Sequence, residues 1–261
     1  MQLPIYQVDA FTDRIFAGNP AAICPLGQWL PDTTMQAIAA ENNLSETAFL
    51  VREGDAFALR WFTPTVEVDL CGHATLASAF VVLNILEPGR AQVAFRTLKA
   101  GTLTVTRDQD MLAMDFPSRP ASAAALDQPI ADALGKKPLE VHAAQDLMVV
   151  YAAPEDVAAL APDFRAVTKL PYRGVIVTAP GADGVDFVSR FFAPGAGIDE
   201  DPVTGSAHCT LIPYWAARLA KKRLQARQLS ARGGSITCTL NGDRVGLAGK
   251  AALYMQGTIN I

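Results

Sequence analysis

The amino-acid sequence predicts an α+β protein made of two similar halves. Three observations support this class. A sixteen-residue pattern occurs twice, an apolar helical stretch follows each copy, and short strand-like runs bounded by Gly, Pro and Asp fill most of the remaining chain. We therefore expect two β-roll, barrel-like domains, each wrapped around one central helix and related by a pseudo-two-fold axis.

The repeated pattern starts at Gly54 and again at Gly184, at a constant offset of 130 residues. Gly, Phe, Arg, Phe, Pro and Asp coincide between the copies, and three further positions change conservatively. The offset is nearly half of the 261-residue chain, as a tandem duplication would give. We place the first domain at 1–117 and the second at 118–261, and the terminal strand is free to cross back to the first domain.

Each copy of the pattern leads into an apolar helix. The stretch 72–86 is apolar nearly all round, which is typical of a helix enclosed by other structure. Its twin, 205–220, contains Pro213, which we expect to kink it.

The other predicted elements are shorter. Helices are predicted at 32–41, with Asp32 as the N-cap, and at 127–134. Strands are predicted at 3–8, 48–51, 57–62, 93–95, 102–106, 112–115, 147–151, 174–178, 185–191, 228–230, 235–240, 244–249 and 252–261.

Composition and charge argue against a nucleic-acid or membrane protein. The formal net charge of −4 gives no electrostatic footprint for nucleic acid. The longest uncharged stretch is too short and too polar to span a membrane, and the N-terminus has no basic and apolar leader pattern. We therefore expect a cytoplasmic protein with no nucleic-acid or membrane partner.

Cysteine and histidine spacing predicts neither a metal site nor a disulfide scaffold. The four cysteines are widely spread without a CxxC pair, and the three histidines lack a spacing such as HExxH. We expect reduced thiols and no metal.

The starts of the two apolar helices are candidate binding sites. Each opens with a small residue, so backbone N–H groups and the positive end of the helix dipole are exposed. A pseudo-two-fold axis would bring Gly72 and His73 to face Gly205 and Ser206 across one cleft, where they suit a carboxylate. Alternatively, the glycines are ordinary turn residues and Ser206 is a plain N-cap.

Three ionisable residues near these starts are candidates for chemistry. The helix dipole is expected to lower the pKa of His73 and keep it neutral, unless it is only a structural cap. Asp201 belongs to an insertion that the first copy lacks; the alternative is a solvated acidic loop. Glu46 precedes an apolar strand, where it is either a turn residue or a general acid and base buried at the cleft.

Four segments of the chain resemble the signature motifs of the PhzF family, the phenazine-biosynthesis isomerase-like proteins. They occur in family order and the resemblance covers essentially the whole chain. The segments are FAGNPAA at 16–22, LSETAF at 44–49, CGHAT at 71–75 and EDPVTGSAH at 200–208.

This resemblance implies a diaminopimelate-epimerase-like fold, usually homodimeric, with a cofactor-independent isomerase site in the cleft. In the namesake enzyme a carboxylate withdraws a proton from one carbon of a dihydro-hydroxyanthranilate and returns it at another. The general acid/base glutamate falls on Glu46. The supporting positions fall on Asn19, Gly72, His73, Asp201, Gly205 and Ser206.

The predicted function is thus proton movement within a small carboxylate-bearing substrate. One alternative is a cysteine-dependent amino-acid epimerase or racemase, which needs one thiol from each half. Cys71 precedes the first helix, but Thr204 holds the matching place and Cys209 lies inside the second helix, so we disfavour it. The other alternative is a non-catalytic small-molecule binding protein on the same scaffold.

Overall fold

A computed structural model describes residues 1–125 and 128–261. The chain forms two compact units, one of Met1–Asp115 with Ala248–Ile261 and one of Phe116–Leu247. Each unit combines strands with a few helices, so the predicted α+β class is confirmed. Among the described residues, no helix has the length and apolar character needed to cross a bilayer.

The helices and strands are numbered in chain order. The helices are α1 (Asp32–Asn42), α2 (Gly72–Val81), α3 (Gln128–Leu134), α4 (Pro154–Ala158), α5 (Phe164–Val167) and α6 (Gly205–Leu219). The strands of the first half are β1 (Gln2–Ala10), β2 (Asn19–Leu26), β3 (Glu46–Glu53), β4 (Ala56–Phe62), β5 (Glu67–Val68), β6 (Gln92–Arg96), β7 (Thr102–Asp108) and β8 (Met111–Pro117). Those of the second half are β9 (Ser122–Ala123), β10 (Glu140–Ala143), β11 (Leu147–Val150), β12 (Val175–Pro180), β13 (Phe187–Phe192), β14 (Arg223–Gln228), β15 (Gly234–Asn241), β16 (Arg244–Gly249) and β17 (Ala251–Asn260).

In the first unit a curled sheet surrounds α2. Strand β1 runs antiparallel to β2, β2 parallel to β3, β3 antiparallel to β4, β4 parallel to β6, and β6 antiparallel to β7. The last strand of the chain, β17, returns to this unit and pairs along β1. Helix α2 packs against β1, β2 and β3 and is buried on nearly every side, as its apolar sequence predicts.

The second unit repeats the same sequence of pairings. Strand β10 runs antiparallel to β11, β11 parallel to β12, β12 antiparallel to β13, β13 parallel to β14, and β14 antiparallel to β15. Helix α6 connects β13 to β14 and packs against β14 and β15. The predicted internal repeat is therefore present as a repeated topology.

The repeated arginine makes the same contacts in each unit. The guanidinium of Arg60 lies 5.2 Å from the ring centroid of Phe62, and that of Arg190 lies 4.9 Å from the ring of Phe192. Each guanidinium also donates two hydrogen bonds to one glutamate carboxylate. The repeat thus preserves a structural ion pair over an aromatic ring.

Two local predictions are wrong, and a third is confirmed over the described residues. Asp32 is the first residue of α1 instead of its N-cap, and its carboxylate accepts a hydrogen bond from Arg60. The helix after the first repeat changes to a π-helical turn over Val82–Leu86. Of the helix predicted at 127–134, residue 127 lies outside the described residues and the remainder is α3.

Helix α6 continues through Pro213 to its end at Leu219. Proline has no N–H, so the carbonyl of Cys209, one turn earlier, loses its helical partner. That carbonyl instead accepts the backbone N–H of Arg119 at 2.9 Å. The proline therefore fixes the segment after β8 against α6.

Candidate active site

The first unit brings together three of the predicted site residues. Asn19 is the first residue of β2 and Glu46 is the first residue of β3. These strands run parallel, with Ala21 opposite Glu46, so the two strand starts lie at the same end of the sheet. His73, the second residue of α2, projects between them.

The imidazole of His73 contacts three side chains. Its Nδ1 lies 3.1 Å from Asn19 Nδ2 and 3.5 Å from Cys71 Sγ, and its Nε2 lies 3.1 Å from Glu46 Oε2. The Nε2 side of the ring therefore faces the carboxylate of Glu46.

The contact between Glu46 and His73 is incompletely satisfied. The two atoms are within ion-pair distance but are not aligned for a hydrogen bond. Both are shielded from solvent, and among the described residues neither has another hydrogen-bond partner. Buried polar atoms are nearly always paired, so an unsatisfied pair of this kind marks a candidate catalytic position.

The prediction that the helix dipole lowers the pKa of His73 is wrong. Burial does act to lower this pKa, but the Cys71 sulfur and the Glu46 carboxylate outweigh it and raise the pKa well above its usual value. A nearby opposite charge stabilises the protonated ring more than the partial charge of a helix end destabilises it. The structure therefore favours the protonated form of His73 beside the Glu46 side chain.

Cys71 belongs to the same cluster, although it has the properties of a packed thiol. Burial, followed by the charge of Glu46, raises the pKa of Cys71 to about 11. The thiol form is thus favoured near neutral pH, and a thiol is a poor nucleophile. This supports the expectation that Cys71 is not the reactive group.

Spacing along the chain predicted no metal site, yet the fold places donor atoms of Glu46, Cys71 and His73 within 4.8 Å of one another. The carboxylate faces Nε2 of the imidazole and the sulfur faces Nδ1. A single metal ion binds only one nitrogen of the His73 ring. To bind all three residues, it would need either the carboxylate or the sulfur to move to the other nitrogen's side of the ring. The high pKa of the Cys71 thiol also opposes metal binding. The arrangement fits proton transfer better than metal coordination.

In the second unit, Asp201 is tied to the segment that opens α6. Its Oδ2 accepts a hydrogen bond from Thr204 Oγ1 at 2.6 Å. The fully buried side chain of Gln228 accepts from the Thr204 N–H at 2.9 Å and donates to the Asp201 carbonyl at 2.7 Å. The alternative of a solvated acidic loop is therefore wrong for Asp201.

Ser206 is the second residue of α6, so it is not an N-cap. Its hydroxyl accepts a hydrogen bond from Arg173 Nη2 at 3.2 Å, and Arg173 is itself held by Asp146. Gly72 and Gly205 are the first helical residues of α2 and α6, which rules out the alternative of ordinary turn glycines. Neither helix has a side chain that caps its first N–H groups.

Sequence reasoning found both helix starts but missed the residues that support the second one. Asp146, Arg173 and Gln228 lie far from α6 in sequence and reach it only through the pairing of the strands that carry or flank them. No local pattern marks them. The two groups of site residues belong to different units, and their meeting in one cleft stays a prediction.

Comparison with known proteins places the chain among named relatives. It is 54% identical to an uncharacterized isomerase of Pseudomonas aeruginosa, over 100% of both chains. It superposes on the crystal structure of a phenazine biosynthesis protein of the PhzF family from Enterococcus faecalis with a TM-score of 0.97, 48% identity and full coverage of both chains. A hydroxyproline epimerase from Agrobacterium vitis has the same fold at 11% identity, with a TM-score of 0.62 over 99% of this chain and 92% of the epimerase.

A family model described as phenazine biosynthesis-like protein matches residues 8–257. The match spans the strands and helices of both units, including Asn19, Glu46, His73 and the start of α6. The predicted family and the diaminopimelate-epimerase-like fold are confirmed. The chain belongs to the PhzF family of phenazine biosynthesis-like proteins.

Proposed function

We propose that this protein is an isomerase that moves a proton within a small carboxylate-bearing substrate, with Glu46 as the general acid and base. One observation carries the proposal. Oε2 of Glu46, which is shielded from solvent, lies 3.1 Å from His73 Nε2 and is otherwise unsatisfied among the described residues. The name isomerase given to the Pseudomonas relative agrees with this reaction class.

The proposed reaction needs only the side chains already described. Glu46 removes a proton from one carbon of the substrate, and the electron pair delocalises over the adjoining π-system. The same carboxyl group then returns the proton to another carbon of that system, so atoms and charge balance without a redox step or a cofactor. His73 holds the carboxylate in place between the two transfers.

We place the substrate carboxylate at the uncapped starts of α2 and α6. Gly72 and His73 offer backbone donors on one side, and Gly205 and Ser206 offer them on the other, in a cleft shared by the two units. Asp201 supports this site by fixing the segment before α6 through Thr204.

A two-thiol epimerase is the second candidate, and the contacts disfavour it. The place that matches Cys71 is held by Thr204, whose hydroxyl donates to Asp201. The remaining thiol has a pKa of about 11, so it is poorly suited to remove a proton near neutral pH. The third candidate is a non-catalytic binding protein. Unlike an isomerase, it would turn over no member of a panel of unsaturated carboxylic acids.

The test is the substitution Glu46→Gln, assayed by proton exchange into deuterium oxide and by isomerisation of unsaturated carboxylic acids. We expect turnover to fall by about 10²–10⁴-fold, the usual contribution of a general acid/base, while ligand binding and the circular dichroism spectrum are retained. Glu53→Gln is the matched control, because Glu53 is the exposed last residue of the same strand, β3. Full turnover in Glu46→Gln would overturn the proposal.

A further inference from the structure

Beside α6, the second unit holds an arginine whose orientation is fixed by a buried acid. Arg173 donates from Nε to Asp146 Oδ1 at 2.9 Å and from Nη2 to Asp146 Oδ2 at 2.6 Å. Asp146 is only 3% exposed, whereas 42% of the Arg173 side chain remains open to solvent. The guanidinium is thus held rigidly against the Ser206 hydroxyl, 3.2 Å away, with a face available to a ligand.

A second arginine is fixed to the same turn of the same helix. The backbone N–H of Arg119 binds the Cys209 carbonyl that Pro213 leaves without a helical partner. Its guanidinium donates from Nη1 to Gln145 Oε1 at 2.5 Å. Gln145 is the neighbour of Asp146, so adjacent residues between β10 and β11 anchor both guanidinium groups.

The two anchors differ in charge. Asp146 forms an ion pair with Arg173, whereas Arg119 is held by the neutral amide of Gln145. Cys209, one turn into α6, interacts electrostatically with both guanidinium groups. Burial raises the pKa of its thiol to about 11, and the charges of Arg119 and Arg173 act in the opposite direction.

We propose that Arg119 and Arg173 form a carboxylate-binding pair beside the first turn of α6, with Ser206 as the neighbouring hydroxyl. Arg173 uses Nε and Nη2 on Asp146 and Ser206 and has Nη1 to offer, whereas Arg119 donates to Gln145 from Nη1 and presents its Nε–Nη2 edge. Guanidinium N–H groups suit a carboxylate, and an anchored side chain loses less entropy on binding than a free one. The pair binds a carboxylate of a small organic acid. An acid group is therefore the part of the substrate that the second unit recognises. As a substrate site it rests on the proposed function, but the binding itself can be measured without turnover.

The probe is succinate, titrated into the full-length protein by isothermal calorimetry, with the uncharged succinamide as the ligand control. We expect Arg119→Met to weaken succinate binding at least tenfold. This variant is safe for folding, because the partner that it loses, Gln145, is an exposed and neutral side chain. Arg173→Lys keeps the charge but loses the planar guanidinium that Asp146 orients, and we expect severalfold weaker binding. Arg223→Met is the matched control, because Arg223 is exposed on β14, and its affinity should equal that of the wild type.

Three results would overturn the proposal: no succinate binding to the wild type at tens of millimolar, equal binding of succinamide, or unchanged affinity in both Arg119→Met and Arg173→Lys. Glu46→Gln should bind succinate as the wild type does. Turnover that survives Glu46→Gln therefore removes the proposed chemistry and leaves the arginine pair standing. If Glu46→Gln loses turnover while Arg119→Met and Arg173→Lys both leave succinate affinity unchanged, the proposed chemistry stands and the arginine pair is excluded.

Discussion

The starts of α2 and α6 occupy equivalent places in a repeated topology, yet their surroundings differ. Both helices begin with Gly and lack a side-chain cap. The α2 start is enclosed by a buried set of hydrogen-bonding side chains, whereas the α6 start is flanked by two arginines on fixed anchors. The two starts therefore differ in the charged side chains near them, which are a carboxylate and an imidazole at α2 and guanidinium groups at α6.

A second contrast concerns the histidine in the first turn of each helix. His73 lies beside the Glu46 carboxylate, which helps to raise its pKa. His208 donates from Nδ1 to the Thr204 carbonyl at 2.8 Å, lies near the Phe187 ring and is fully buried, so burial lowers its pKa to about 4. Two residues of one type on similar helices are therefore pushed in opposite directions by their neighbours.

The largest expected effect comes from breaking the α2 cluster. His73→Gln removes the imidazole between Asn19 and Glu46, so the carboxylate loses its fixed position and its proton partner. We expect kcat/KM for proton exchange to fall on the order of 10³-fold, within the range of general acid/base contributions. His142→Gln is the control, because His142 belongs to β10 in the second unit and pairs there with Glu140. Comparable losses in both variants would contradict a special role for His73.

The next effect is a pH dependence of stability set by His208. The unfolded chain takes up a proton near pH 6.5, whereas the folded protein resists protonation until about pH 4. A lowered folded pKa gives stability that is present above pH 6.5 and is lost as the pH falls towards 4. The loss over that interval is about 3 kcal/mol.

Urea denaturation of the wild type and of His208→Gln at several pH values would check this. The variant should be less stable near neutral pH, because the amide does not reproduce the packing of the ring, but its stability should fall less between pH 6.5 and 4. If the free energy of unfolding falls by the same amount with pH in the two proteins, His208 does not have the lowered pKa that its burial implies.

The smallest effect is expected from Cys71→Ser. A thiol with a pKa of about 11 does not act as the base, so kcat should change by only a few-fold. The measurement is proton exchange in both directions, with Cys24→Ser as the control because Cys24 is also fully buried in the first unit. A loss as large as that of His73→Gln would bring the cysteine-dependent mechanism back.

Much of the fold could be predicted from local pattern. The all-round apolar stretch after the first repeat gave α2, and strand β16 was predicted at its observed bounds, 244–249. Strand β2 was missed because Pro20 and Pro25 argue against a strand that is paired on both sides. Strand β14 was displaced to 228–230 because its alternating face carries only Leu, Ala and Gln.

The site was predicted less completely. Asn19, Glu46 and His73 were identified as candidates, the first two mainly through the motifs that resemble the family, and the structure brings all three into contact. The anchors Asp146 and Gln145 had no sequence signal, because a short turn between two strands acquires its role only where α6 packs nearby.

The sequence by itself determined the duplication, the apolar faces of the helices and the positions of the two helix starts, since these depend on spacing along the chain. The tertiary structure decided what each start contacts. The expected neutral His73 is the clearest case, because a helix dipole can be inferred from local sequence, whereas a carboxylate 3.1 Å away is placed there by a distant strand. The Cys71 sulfur and that carboxylate outweigh the burial of the ring, so the pKa of His73 rises instead of falling.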